Sequence, residues 1–420
     1  MAGALEGVRI LDCTQIIAGP LAASLLSEMG ADVVKIEPLE GEPWRLQAEL
    51  IPKESRSYMT QNRGKRCLAV NLKHPEADAL RVALISWADV LITNYRPGVP
   101  EELKLDYESA KAIKPDIIYC EGTAFGKRGP DANLRGYDIV AQAMSGLTAS
   151  NGTVTNGLPQ QIGFAPADVI TGYAMAWGIT AALYHHAVTG EGQAINTSLL
   201  HTALTIQAGS REIVALDSDS RRESLDALRA ARERGATIEE ILAERRAKAP
   251  ELSGNIYYRA YKTKDSYLVV GCLGPGPRAR FRKALHIRDE RYEEGFDRSP
   301  EAFRRIGSAL VEQCEAILAS KANDEWMEFF HASDIAAGPV RFVDELMDDP
   351  QVISNDYITE YEHTLLGTLR GPSPVVTMSG TPTRIQRASP ALGEHSDEVL
   401  AEIGFSVADV SRLRGGCVVG

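Results

Sequence analysis

The sequence predicts an α/β protein: a large domain on a doubly wound parallel sheet, joined to a smaller α+β domain. Three observations predict it. Short β-branched runs alternate with helix-length stretches through the first 205 residues. A highly charged segment over 206–250 then interrupts them, and a different order of strands and helices follows. Alternation of the first kind places helices on the faces of a parallel sheet.

The opening is the clearest part. Residues 8–12 (VRILD) read as a strand, 13–17 as a loop, and 21–29 as a helix with Leu21, Leu25 and Leu26 on one side. Gly30 stops that helix as a C-terminal cap. Residues 32–37 (DVVKIE) form a second strand and complete a βαβ unit. Strands follow at 67–72, 88–93 and 116–121, with a helix over 75–87. A long helix over 166–187 is rich in small residues, including Gly172, Ala176 and Gly178. Glycine inside a helix costs about 1 kcal/mol against alanine, so these two mark a close backbone approach, to another helix or to a ligand. These elements make 1–205 the first part of the large domain. The charged helical segment at 206–250 has acids nearly matching its bases and reads as a linker. Strands at 256–261 and 266–272, with helices at 278–285, 300–320 and 324–332, make a small domain over 225–335. Residues 336–420 return to loops and strands and end in helices near 394–403 and 407–413.

Composition narrows the function. The 420 residues carry 45 Lys and Arg against 57 Asp and Glu, a net charge of −12. A general nucleic-acid binder needs the opposite balance. The six cysteines are scattered, with no C-x-x-C pair, so no metal site is expected and reduced thiols in a cytoplasmic protein are the simple reading. No signal peptide and no membrane-spanning run is expected.

The turn after the first strand lacks G-x-G-x-x-G and offers Ala18-Gly19-Pro20 instead, which argues against a nicotinamide cofactor. The free N–H groups of that helix start could still receive a carbonyl or a phosphate. Asp168 opens the small-residue helix. An acid there is stabilised as the anion by the helix dipole, either as a plain cap or as a nucleophilic carboxylate beside an apolar wall. Of Arg45, Arg63, Lys65, Arg66, Lys73, Arg96, Lys104 and Arg135, several fall in loops or at strand ends, where a parallel sheet has its ligand crevice, although for any one of them a solvated surface role is the simpler reading. The run Asn62-Arg63-Gly64-Lys65-Arg66 is the most suggestive, because its glycine lets backbone approach a phosphate. There is no G-x-S-x-G elbow, H-E-x-x-H or P-loop.

In order, seven stretches resemble the class III CoA-transferase family, which also holds the α-methylacyl-CoA racemases. They are LEGVRILDCTQIIAGPLAASLLSEMGADVVKIEP, NRGKRCLAVNLKHPEA, ADVLITNYRPGV, GTAFGKRGPDANLRGYDIVAQAMSGL, ADVITGYAMAWGITAALYHHAVTGEGQ, AAGPV and PALGEHSDEVLAEIGFS. The resemblance implies a Rossmann-like large domain built from both ends of the chain and a small domain from the middle. Two linkers would make each subunit a ring, and two rings would interlock as a homodimer. It implies coenzyme A or acyl-CoA as substrate, a small carboxylic acid as partner, and no prosthetic group.

The resemblance also implies roles for residues. Asp168, in A-D-x-x-x-G, falls on the family's nucleophile, which forms a mixed anhydride and then an aspartyl-CoA thioester. Ile17, Ala18, Val70, Asn71, Leu72, Lys73, Asn94, Arg135 and Tyr137 fall on CoA contacts, and Gly271, Gly274 and Gly276 on a lid loop. Glu102 stands where many members have a phosphate-binding arginine, and Lys104 is the available substitute. Tyr137 stands where the racemases have a histidine base; with a reference pKa near ~10 it serves poorly as a base at neutral pH, so transfer is expected over racemisation. A non-catalytic CoA-binding protein is the other alternative.

Overall fold

Six strands are all parallel: β1 (Arg9–Cys13), β2 (Asp32–Glu37), β3 (Arg66–Ala69), β4 (Val90–Thr93), β5 (Ile118–Thr123) and β6 (Ala194–Ser198). Their order in the sheet is β6-β5-β4-β1-β2-β3. The chain winds outward from β1 through β2 to β3, returns to the middle at β4, and winds the other way. The reversal between β1 and β4 leaves a crevice at the carboxyl ends of the two central strands. The computed structural model describes residues 2–151, 153–207, 218–247 and 254–420. Two compact units divide the chain: Met1–Thr155, Pro159–Val214 and Pro350–Gly420 form one, and Asn156–Leu158 with Ala215–Asp349 the other.

Strand side chains alternate between the two faces of the sheet. Ile10, Val33, Val90, Ile92 and Ile118 pack against α1 (Ala18–Glu28) and, further along the chain, the long helix Pro166–Thr189. Leu11, Val34, Ile36, Leu68 and Leu91 pack against α2 (Ala77–Trp87) and the C-terminal helices Ser396–Glu402 and Val407–Gly415. The strand expected over 67–72 ends at Ala69, because Val70 turns away to bridge Val419 and the Asn71 N–H bonds the Val418 carbonyl. Between β5 and β6 lie α3 (Asp138–Met144) and α4 (Pro166–Thr189), and α5 (Leu199–Thr205) follows β6.

Both helix glycines serve packing. A Cβ on Gly172 would lie 2.8 Å from the Ala18 carbonyl oxygen and 3.1 Å from Leu21 Cβ, so its absence lets α4 sit on α1. A Cβ on Gly178 would come within 3.0 Å of Ile195 on β6.

The second unit holds the described part of the charged segment as α6 (Ser218–Glu233) and α7 (Ile238–Ala247); its stretches 208–217 and 248–250 lie outside the described residues. Its sheet has three antiparallel strands, β7 (Tyr258–Lys262), β8 (Tyr267–Gly271) and β9 (Ala337–Pro339), rather than the expected hairpin alone. An Ala-Gly-Pro strand has no β-branched signature, which is why the sequence hides it. The core of this unit includes Phe281, Trp326 and Phe330 from α8 (Pro275–Leu285) and the helix Asn323–Ala332. The expected lid run is divided: Gly271 ends β8, Gly274 sits at φ 83° just before α8, and Gly276 lies in the first turn of that helix. No described helix is long and apolar enough to cross a membrane.

Gly172→Ala is therefore expected to destabilise. Its helix-propensity gain of about 1 kcal/mol is smaller than the ~1–3 kcal/mol of overpacking against rigid backbone, so thermal unfolding should show a lower midpoint. A higher midpoint would mean that α4 can move off α1 freely.

Candidate active site

A doubly wound sheet gathers the loops after its strands, and here they enclose a cavity of about 670 Å³. Gln15, Ile16 and Ala18 line it after β1, Glu37 and Glu40 after β2, and Val70 to Lys73 after β3. Asn94 to Pro97 follow β4, and Gly122 to Ala124 end β5. Arg135 and Tyr137 precede α3, and Asp168 and Thr171 come from the first turns of α4. The volume suits a sizeable ligand.

The loop between β1 and α1 is held unusually firmly. Ile16 has φ 72°, an outlier for a β-branched residue that only surrounding structure can sustain. Its N–H donates to Glu42 at 2.8 Å, the Gln15 N–H donates to Asn94 Oδ1 at 2.8 Å, and Asn94 returns a bond to the Gln15 carbonyl at 2.8 Å. Lys35 Nζ donates to the Thr14 carbonyl at 2.9 Å and pairs with Glu42 at 3.2 Å. Beneath this loop Lys65 Nζ meets Asp12 Oδ2 at 2.8 Å, both fully buried, and also reaches the Pro20 carbonyl and Asn62 Oδ1. Arg45 grips both oxygens of Glu37 at 2.8 Å and reaches Glu54 at 2.9 Å. Burial alone would push Glu37 up, but Arg45, Lys35 and Tyr58 hold it at about 2.

Two helix starts face the same cavity with opposite arrangements. No side chain caps α1, and its first turn holds no acid. At α4, Ala165 offers no side-chain cap and Pro166 has no N–H. Asp138 on α3 reaches across instead: its Oδ1 accepts the Ala167 N–H at 2.7 Å and the Asp168 N–H at 3.1 Å. Asp168 is left half-buried, and among the described residues no donor bonds its side-chain oxygens. Burial, and then the Asp138 charge, push its carboxyl up to about 7. This corrects the expectation that the helix dipole keeps Asp168 a stabilised anion: the N–H groups that would do so are already taken by Asp138.

The structure brings Asp168, Ala18, Val70, Asn71, Leu72, Lys73, Asn94, Arg135 and Tyr137 to one cavity. It leaves out two residues expected there. Ile16, not Ile17, lines the wall, because the turned backbone at Ile16 swings its neighbour away. Lys104 pairs with Asp78 at 3.3 Å and does not line the cavity. Gly271, Gly274 and Gly276 belong to the other unit. The suggestive run at 62–66 is structural: a Cβ on Gly64 would lie 2.0 Å from Ser27 Oγ, Lys65 neutralises Asp12, and Arg66 pairs with Asp32, Glu398 and Glu402. Of the basic residues singled out, Arg96 and Arg135 line the cavity with no salt bridge among the described residues, while Lys73 pairs with Glu102 at 2.8 Å. Gln15 and Asp138 escaped the sequence reading. The available signal for Asp138 was an acid opening a helix beside Tyr137.

Known proteins share this pattern along nearly the whole chain. The family model described as CoA-transferase family III matches residues 5–396. The human succinyl-CoA:glutarate CoA-transferase is 32% identical over 407 residues, covering 95% of this chain and 86% of its own. A formyl-CoA:oxalate CoA-transferase of Rhodopseudomonas palustris (strain TIE-1) is 30% identical over 426 residues, covering 98% and 96%. The solved structure of a CaiB/BaiF family protein from Brucella suis superposes with a TM-score of 0.74 at 26% identity, covering 96% of this chain and 100% of that one.

Two outcomes follow from the charges. Lys65→Met leaves Asp12 buried without its partner and should cost roughly 3–5 kcal/mol in unfolding measurements; a neutral result would mean that water reaches Asp12. For Asp168 the folded value lies above the unfolded one, so the folded state binds the extra proton. Its stabilising share is complete below the unfolded value and is lost as pH rises toward about 7. The thermal advantage of Asp168→Asn over the wild type should therefore grow from pH 5 to pH 7.5 and level off above. An advantage independent of pH would contradict the raised carboxyl.

Proposed function

The chain belongs to CoA-transferase family III, and from that premise we propose that it moves coenzyme A between two carboxylic acids through the side chain of Asp168. The observation that carries this reading is the Asp168 carboxyl: on the cavity wall, without a hydrogen-bond donor among the described residues, and raised to about 7 by burial and by Asp138. Such a group is ionised to a useful extent at neutral pH and remains basic enough to attack.

In the first step an Asp168 oxygen attacks the thioester carbonyl of the donor acyl-CoA. The carbon–sulfur bond breaks, CoA thiolate leaves, and an aspartyl mixed anhydride forms. The thiolate then attacks the Asp168 carbonyl carbon of the anhydride. The donor acid departs as its carboxylate and leaves an aspartyl-CoA thioester. The acceptor carboxylate attacks that thioester and the two steps run in reverse, returning acyl-CoA and free Asp168. Each addition places negative charge on a carbonyl oxygen. The uncapped start of α1, with Ala18 on the cavity wall, is suited to receive it through main-chain N–H groups. Arg96 and Arg135, without salt bridges among the described residues, suit the phosphates of CoA.

The relatives' names point to short dicarboxylic acids, so succinyl-CoA with glutarate or oxalate is the first pair to assay. The working assembly is taken to be a homodimer. Racemisation is the weaker reading, because Tyr137 occupies the position where a histidine base would be needed; deuterium exchange beside the thioester without acyl transfer would favour it.

Asp168→Asn should lower CoA transfer by roughly a thousandfold or more. Wild-type enzyme given acyl-CoA and then hydroxylamine should carry a hydroxamate at Asp168. Full transfer by the Asn variant, or no adduct at this residue, would remove the proposal.

A further inference from the structure

We propose that Asp138 is a positioning residue for the transfer reaction: by taking both free N–H groups at the head of α4, it fixes Asp168 in place and keeps those donors away from the attacking carboxylate. This rests on Asp168 being the nucleophile, and the experiment below separates the two claims.

A helix that starts Ala165-Pro166-Ala167-Asp168 has no side chain of its own to cap it. Its own acid would be the natural substitute, since a carboxylate in a first turn folds back readily onto free N–H groups. An Asp168 used in that way would be a weak nucleophile, because each donated hydrogen bond lowers its basicity. Asp138 prevents this from outside the helix. Its Oδ1 holds the Ala167 and Asp168 N–H groups at 2.7 and 3.1 Å, and the residue is only 8% exposed.

The carboxylate of Asp138 is itself held. Gln142, one turn further along α3, donates Nε2 to Asp138 Oδ2. The same amide reads the main chain of Ile162, accepting its N–H at 2.9 Å and donating to its carbonyl at 3.1 Å. The segment just after Ile162 contains Phe164 and Ala165 at φ 67° and 47°, two consecutive non-glycine residues in the left-handed region. The Asp138–Gln142 pair thus brackets a strained turn on both sides and delivers Asp168 to the cavity. The other charged groups of that cavity are Glu37, Glu40, Lys73, Arg96 and Arg135, with Tyr95 and Tyr137 as further titratable groups; Asp138 is the neighbour whose charge lifts Asp168.

The test compares Asp138→Asn, Asp138→Glu and Asp138→Ala in the full-length enzyme. Asn retains an oxygen that can accept both N–H groups but loses the charge. Glu retains the charge but is one methylene too long. The readouts are the pH profile of kcat/KM, single-turnover formation of the hydroxylamine-trapped adduct, acyl-CoA binding and thermal unfolding. The wild-type rate should rise with pH through an acid limb near 7. Asn should move that limb down by about one unit or more and lower the plateau, with Asp168 still trapped. Glu should leave the limb near its wild-type position and lower the plateau by roughly ten- to a hundredfold, the effect of an ångström-scale misplacement. Ala should lose more than either, with acyl-CoA binding retained. An Asn variant with wild-type limb and plateau overturns the proposal while leaving the nucleophile intact. Should the Asn variant fail to fold, an unchanged plateau in the Glu variant overturns it equally. Absence of any adduct at Asp168 in the wild type overturns the nucleophile itself.

Discussion

Three oppositely charged pairings buried around the carboxyl ends of β1 and β2 set the geometry on which the site depends. Asp12 with Lys65, Lys35 with Glu42, and Glu37 with Arg45 are all withdrawn from water. Each ion would carry a large desolvation cost if unmatched, so each must meet its partner and fill its remaining hydrogen bonds. The bonds that remain go to the loops: the Thr14 carbonyl, the Ile16 N–H, the Pro20 carbonyl and the Pro390 carbonyl. The requirement to satisfy charge thus becomes a requirement on backbone position. It sustains the strained turn at Ile16 that opens α1 onto the cavity.

From that fixed frame the two helix starts diverge in purpose. The α1 terminus is left without a side-chain cap and so can serve a ligand oxygen. The α4 terminus is sealed by Asp138 and so leaves the neighbouring Asp168 without main-chain N–H donors from that helix start. On the proposed reading, identical helix physics serves developing negative charge at one start and a reactive carboxylate at the other, and the difference lies in which residue fills the terminal N–H groups.

The parallel sheet, its helices and the motif order were legible because they follow from short-range pattern: short β-branched runs, Gly30 as a stop, small residues along α4. Asp168 was legible as an acid at a helix start. Its electrostatic state was not, since that depends on Asp138, a residue 30 positions away in sequence that meets it only in the fold. The basic residues misled for the same reason. Lys65 and Arg66 read as solvated surface groups or candidate phosphate neighbours, but the acids that bury and neutralise them lie far along the chain, at Asp12 and at Glu398 and Glu402. Charge in a sequence is visible; its partner is not. The strand at Ala337–Pro339 was missed because its residue types carry no strand preference and its pairing with β8 is long-range.

The second face of the main sheet is shared between α2 and a segment far along the chain, with Val399, Leu400, Leu413, Val418 and Val419 completing the cover. During synthesis the ribosome delivers all six strands well before that segment emerges. The growing polypeptide therefore carries a partly uncovered aliphatic surface until those residues emerge, a state in which exposed apolar groups favour aggregation. A premature stop that removes only the final twenty residues would leave all six parallel strands in place and still open a gap in that flank where Val410, Leu413, Val418 and Val419 pack.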